Sequence, residues 1–166
     1  LEGFVGIECN QNAICKDSKG NIWFGTAKVL TKYNAKADKL NTIEPKSHIT
    51  GLRLFFEEVD WKNYADSIAK WYPMPVDLIL PYNKNHLTFD FIGISLKIPG
   101  KVKYRYMLKG LDDNWLPPVK ENFATYPGVP PGNNTFMVKA CNNDGIWNEE
   151  LATYSFIIAP PFWQTW

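Results

Sequence analysis

Histidine, cysteine and long apolar runs are all scarce in this chain, and each scarcity excludes something. Two histidines, His48 and His86, and three scattered cysteines, Cys9, Cys15 and Cys141, with no C-x-x-C spacing, do not make a zinc site. An odd number of cysteines is not a disulfide framework either. Free or half-buried thiols are the ordinary reading, with a Cys9–Cys15 bridge left open in an oxidising compartment. No run approaches the ~20 apolar residues of a membrane helix. The chain opens on Leu1 without a secretory signal and reads as part of a longer protein. The net charge is +1 with acids and bases interleaved, so no charge excess draws the chain to nucleic acid or to a lipid surface.

Catalytic motifs are missing too. No serine or cysteine lies in a nucleophile motif. Asp112-Asp113 is an adjacent carboxylate pair, but neighbours on extended backbone point apart, and in Gly110-Leu111-Asp112-Asp113-Asn114 they read as turn caps. Asn142-Asn143-Asp144-Gly145 lacks the ligand alternation of a calcium loop and reads as a hairpin turn. No catalytic residue, metal or cofactor is expected.

What the chain does have is aromatic residues, at 15%, with twelve prolines and eleven glycines. Aromatic side chains bury roughly 150–250 Å² each, enough to build a core in a short chain. Strict alternation marks the strands. Val102 to Lys109 places Tyr104, Tyr106 and Leu108 on one face and Lys103, Arg105 and Lys109 on the other. Leu87-Thr88-Phe89-Asp90-Phe91, Phe136 to Ala140 and Thr153 to Ile158 alternate in the same way. Ile49 to Phe56 reads as a strand with Leu52, Leu54 and Phe56 on one face, and Leu78-Ile79-Leu80 as a short one. Before these come short strands at 13–17, 22–26 and 29–33, with a fourth at 40–43. Trp61, Tyr64, Ile68 and Trp71 fall at helical spacing, so a short helix and an aromatic-draped loop both remain open. Short strands separated by polar and Pro-Gly turns describe an all-β, immunoglobulin- or fibronectin-III-like antiparallel sandwich.

An ordered set of residues resembles one family: Tyr104, Tyr106, Leu108, Gly110, Trp115, Tyr126, Pro131-Gly132, Phe136, Val138, Ala140, Gly145, Trp147 and then Pro160-Pro161-Phe162-Trp163. The pattern is similar to the three-tyrosine domain of bacterial two-component sensors. Asp17-Ser18-Lys19-Gly20-Asn21-Ile22-Trp23-Phe24-Gly25-Thr26, followed by Tyr33, resembles the repeat of the β-propellers that precede that domain. A single copy is present, and a lone repeat lacks the neighbours that bury its apolar face. In isolation it is expected to be partly disordered, to pack on the main domain, or to pair with another chain.

The resemblance implies a division into a last propeller repeat at 1–45, a three-tyrosine sandwich at 46–159 and a juxtamembrane segment at 160–166. It implies a periplasmic signal-relay and dimerisation module in a membrane-bound sensor kinase. The partners would be a second copy, an upstream propeller and a downstream transmembrane helix, with no nucleic acid. Pro160, Pro161, Phe162, Trp163 and Trp166 would be the output end. Tyr104, Tyr106, Trp115, Tyr126, Gly132, Phe136, Gly145 and Trp147 would be signature core. The pattern departs at Asn134, where the family often has a tyrosine; a weak corner is expected there, with Asn134→Tyr stabilising by about 1 kcal/mol. The alternative is a carbohydrate-binding accessory sandwich of a secreted polysaccharide-acting enzyme, with Trp61, Trp71, Tyr72 and Tyr82 as a sugar-stacking platform.

Overall fold

The computed structural model describes residues 8–161, which divide into two compact units, Leu1–Leu40 and Asn41–Trp166. The first is a three-stranded antiparallel sheet of β1 (Cys9–Lys16), β2 (Ile22–Thr26) and β3 (Leu30–Tyr33), in that order. Its organising group is the Asp17 carboxylate. That carboxylate accepts hydrogen bonds from the Lys19 and Asn21 backbone N–H groups, from Asn21 Nδ2 and from Trp23 Nε1, at 2.7–3.0 Å. Gly20, at φ +85°, closes the turn beneath it. Asp17, Gly20 and Trp23 are therefore parts of one polar knot. The side-chain bonds from Asn21 and Trp23 hold the carboxyl down at about 2. Cys9, Cys15 and, in the second unit, Cys141 are free thiols, so no Cys9–Cys15 bridge forms.

The second unit is a sandwich of two sheets. One has the order β10 (Phe123–Tyr126), β8 (Leu87–Ile94), β4 (Lys46–Leu54), all antiparallel. The other has the order β7 (Ile79–Leu80), β12 (Ala152–Ile158), β11 (Gly132–Cys141), β9 (Lys103–Lys109), antiparallel except for β7, which runs parallel to β12. A two-residue pair, β5 (Ser67–Ile68) with β6 (Pro75–Val76), lies in the excursion between β4 and β7.

Period-two alternation puts Leu87, Phe89 and Phe91 of β8 against Phe136, Val138 and Ala140 of β11, all buried. Phe89 stacks on Phe136 with ring centroids 4.2 Å apart and planes 6° from parallel. Farther along, a Cβ on Gly93 would lie 2.7 Å from Ala140 Cβ and 2.9 Å from Val102 Cγ1, so the Gly93 backbone lies directly against side chains of the facing layer. Phe89 over Phe136 and Gly93 over Ala140 show that β8 and β11 run in the same direction.

Three sequence expectations are corrected. Residues 40–43 form no strand; Asn41 to Glu44 are hydrogen-bonded to the 142–149 segment and belong to the sandwich, so the boundary falls at Leu40 and not at 45. Residues 59–71 hold one turn of 3₁₀-helix, Trp61–Asn63, capped by the Asp60 carboxylate, and no α-helix. Trp61 and Tyr64 pack on the core, while Trp71 is 93% exposed. Phe56 does not continue β4 inward, because the chain reverses at Phe55-Phe56 with positive φ at both residues.

Candidate functional site

β12 is the point of exit from the sandwich, and it is held on both edges. Gly132 to Val138 pair with Ile158 to Ala152 on one side. On the other, Ile157 N–H donates to Leu78 C=O at 2.9 Å and Ala159 N–H to Leu80 C=O at 2.7 Å. Leu78, Leu80 and Ile158 are wholly buried. Higher on the strand, Tyr154 Oη donates to Pro75 C=O at 2.8 Å, and burial, followed by the Asp77 charge, raises its pKa. Pro160 follows exposed and Pro161 buried. Backbone pairing therefore runs without a gap to the residue before Pro160-Pro161, whose fixed φ stiffens the departure. The other members of the expected output end, Phe162, Trp163 and Trp166, lie outside the described residues.

The corner beneath this exit is built by Asn134 and Tyr126. Asn134 is 2% exposed, and its Nδ2 donates to Pro130 C=O at 3.0 Å and Gly132 C=O at 3.1 Å. The expectation of a weak corner is thus wrong. The amide ties the Pro-Pro-Gly turn to β11 from inside, and a tyrosine ring would have to displace both bonds. Tyr126 Oη donates to Asp112 Oδ2 at 2.7 Å, and the same oxygen accepts Leu108 N–H at 2.8 Å. Burial, then the Asp112 hydrogen bond, pushes the Tyr126 hydroxyl well above its ordinary range. Tyr106 is raised by burial and then by the Asp112 charge. Tyr104 Oη accepts Gly93 N–H at 3.1 Å, fixing the close approach of the sheets.

The two signature tryptophans are not core. Lys139 on β11 stands directly opposite Arg105 on β9, on the outer face. Like charges in that relation repel. Trp115 and Trp147, both half-buried, answer the charge with their ring faces. Lys139 Nζ lies 4.7 Å from the Trp115 ring centroid and 5.5 Å from that of Trp147, and the Arg105 guanidinium lies 5.3 Å from Trp147. Among the other signature positions, Tyr104, Tyr126 and Phe136 are buried and Tyr106 is half-buried against Phe91 and Phe136. Gly132, which opens β11, and Gly145, in a turn, are both exposed.

Two asparagines of the 142–148 segment hold structure. Asn142 Oδ1 accepts the Asp144 and Ile146 N–H groups, while its Nδ2 donates to Asn41 and Ile43 C=O. Buried Asn148 joins the two sheets: its Oδ1 accepts Ala140 N–H at 2.6 Å, and its Nδ2 donates to Ser47 Oγ at 3.0 Å and to Glu150 C=O. These long-range amide ties carry no local sequence signal. Among the described residues no group of His, Cys, Asp and Glu is placed to hold a metal ion. A cleft of about 710 Å³ opens beside the start of β4, with His48, Trp71, Tyr72, Met74 and Tyr154 in its wall. The four aromatics of the expected sugar platform are not gathered in it: Trp61 is buried in the core, and Trp71 and Tyr72 line the cleft without Tyr82.

The match to known proteins agrees with this architecture. Residues 95–159 match the Y_Y_Y domain family. That segment is similar to the three-tyrosine domains of this family. Over 166 residues the chain is 25% identical to histidine kinase P4 of Formosa agariphila, covering 99% of this chain and 12% of that kinase. It superposes with TM-score 0.68 and 25% identity on the extracellular domain described as that of a hybrid two-component system of B. thetaiotaomicron, covering 89% of this chain and 20% of the other. A second extracellular domain from the same organism, at 20% identity and TM-score 0.59, shares the fold. The chain thus spans a fifth or less of these relatives. Both matched structures are described as extracellular domains of hybrid two-component systems. No helix among the described residues is long and apolar enough to cross a membrane.

Proposed function

We propose that this chain relays a signal, as part of a homodimer in the periplasm, from a ligand-sensing propeller to a transmembrane helix of a sensor kinase, and that it catalyses nothing itself. The observation that carries this reading is the double pairing of β12 up to Ala159, directly before Pro160-Pro161. A close-packed sandwich moves as a body. A displacement of that body therefore reaches the departing chain without being absorbed by slack. The ligand shifts the balance between two arrangements of the dimer only by its differential affinity for them. The structural employment of Asp112, Asn142 and Asn148 supports the absence of a reaction.

The test is a flexible Gly-Ser insertion after Ile158 in the full sensor. The sandwich remains paired to that residue, and the ligand is expected to lose control of kinase output. Normal ligand-dependent output from the inserted sensor would refute the relay.

A further inference from the structure

The reversal after β4 is a two-residue hairpin turn made of the wrong residues. Leu54 and Glu57 exchange N–H···O=C bonds at 3.0 Å in both directions, leaving Phe55 and Phe56 as the central pair. Their φ values are +51° and +68°. A turn with positive φ at both central positions selects Asn-Gly, and a bulky side chain at even one of them is an outlier. Strain of this kind concentrates where side chains make functional contacts. The rings do find neighbours. Phe56 meets His86 edge-on at 4.6 Å, Phe55 lies 5.6 Å from the same ring, and Lys84 Nζ sits 5.5 Å from the Phe55 centroid. Phe55 nevertheless remains 44% exposed and Phe56 60%. Two strained phenylalanines are thus presented to the outside.

Hydrogen bonds place this turn at the pole where the chain leaves the sandwich. Phe55 N–H donates to His86 C=O, and Val129 N–H to Asn85 C=O. Asn134 joins Pro130 to β11, Gly132 pairs with Ile158, and Ala159 N–H donates to Leu80 C=O. Exposed Tyr82 belongs to the same loop as Lys84. Beyond Pro161 the sequence runs Phe162-Trp163-Gln164-Thr165-Trp166, rich in the side chains that favour a water–lipid interface.

We infer that the Phe55-Phe56 turn is a membrane-contact tip that inserts into the interfacial layer of the bilayer and holds the sandwich upright on it. This rests on the relay reading only in placing a bilayer beyond Pro161. Exposed Glu57 and Glu58 flank the tip, so the contact is apolar and not an attraction to anionic lipid.

The test is cosedimentation of this chain with zwitterionic phosphatidylcholine vesicles, read without any signalling. The parent is expected to bind in a lipid-dependent, salt-insensitive manner. Phe55→Asn/Phe56→Gly supplies the residues the turn prefers; its melting temperature should rise while the partition coefficient falls about tenfold, as expected on removing apolar insertion. Phe56→Asn, a milder second variant, should move both readings the same way. Trp163→Ala/Trp166→Ala should retain the Phe-dependent part of the binding. No binding by the parent overturns the inference. So does equal binding by the Asn-Gly variant, or loss of all binding in the tryptophan variant alone. The relay could still stand in each case, because its own test reads kinase output.

Discussion

The two units of this chain are both antiparallel sheet, yet they are held by opposite means. Among the described residues, every buried hydrophobic side chain belongs to the sandwich; the leading sheet buries only Asn21 and Thr26. Ile14 and Leu30 of that sheet are 61% and 66% exposed. Its order comes from a carboxylate collecting four donors, whereas the sandwich is ordered by stacked aromatic rings and by the close approach of Gly93 to the facing side chains. The leading sheet encodes its turn locally and leaves its apolar faces exposed. A sandwich encodes its faces and needs long-range ties to finish its corners.

The sharpest way to break this contrast is to cut the aromatic core. Phe136→Ala removes the partner of Phe89, and a loss of about 3–5 kcal/mol is expected for a buried phenylalanine. Urea unfolding followed by tyrosine signals of the sandwich should show it, with the Trp23 indole resonance of the leading sheet unmoved. A smaller effect is expected at the corner. Asn134→Tyr should destabilise by about 1–3 kcal/mol, since the Pro130 and Gly132 carbonyls lose the buried amide that ties them to β11. A stabilised variant would mean that the Pro130–Gly132 turn finds other partners.

The mildest perturbation is pH, and it should separate the units. Tyr126 and Tyr154 have folded pKa values raised above the unfolded value near 10. Their contribution to sandwich stability is whole below that pH and is lost as pH rises beyond it. Asp17 has its folded value lowered to about 2. Its contribution is whole above the unfolded carboxylate value of about 4 and is lost as pH falls from there toward 2. Amide spectra should therefore lose the leading sheet's turn on the acid side and the sandwich's tyrosine contacts on the alkaline side. One shared transition on either side would contradict the division.

How legible these features were in the sequence follows from the range of the interactions. β8, β9, β11 and β12 announce themselves because one face of each is buried, which enforces alternation. β10 is four residues long with Phe123 exposed, too short to show a period. The Phe55-Phe56 reversal carried no Gly or Asn and so read as more strand. Helical spacing at Trp61 to Trp71 arose from a 3₁₀ turn followed by the two-residue strand β5 and bends, across which a helical period has no geometric meaning. Trp115 and Trp147 read as core because they belong to the signature set. The outward phase of Arg105, carried by the alternation of β9, was the signal that a cation face needed covering. The exit strand was readable, but its clamp by β7 was not, because a two-residue parallel pairing leaves no pattern.

The most direct measurement pairs two insertions of one flexible Gly-Ser segment in the full sensor. One follows Ile158, and the other follows Lys120 in an exposed loop between β9 and β10. Ligand-dependent kinase output is read from both. The account predicts output lost with the first and kept with the second. Output kept with the first would show that rigid departure of β12 from the sandwich does not carry the signal.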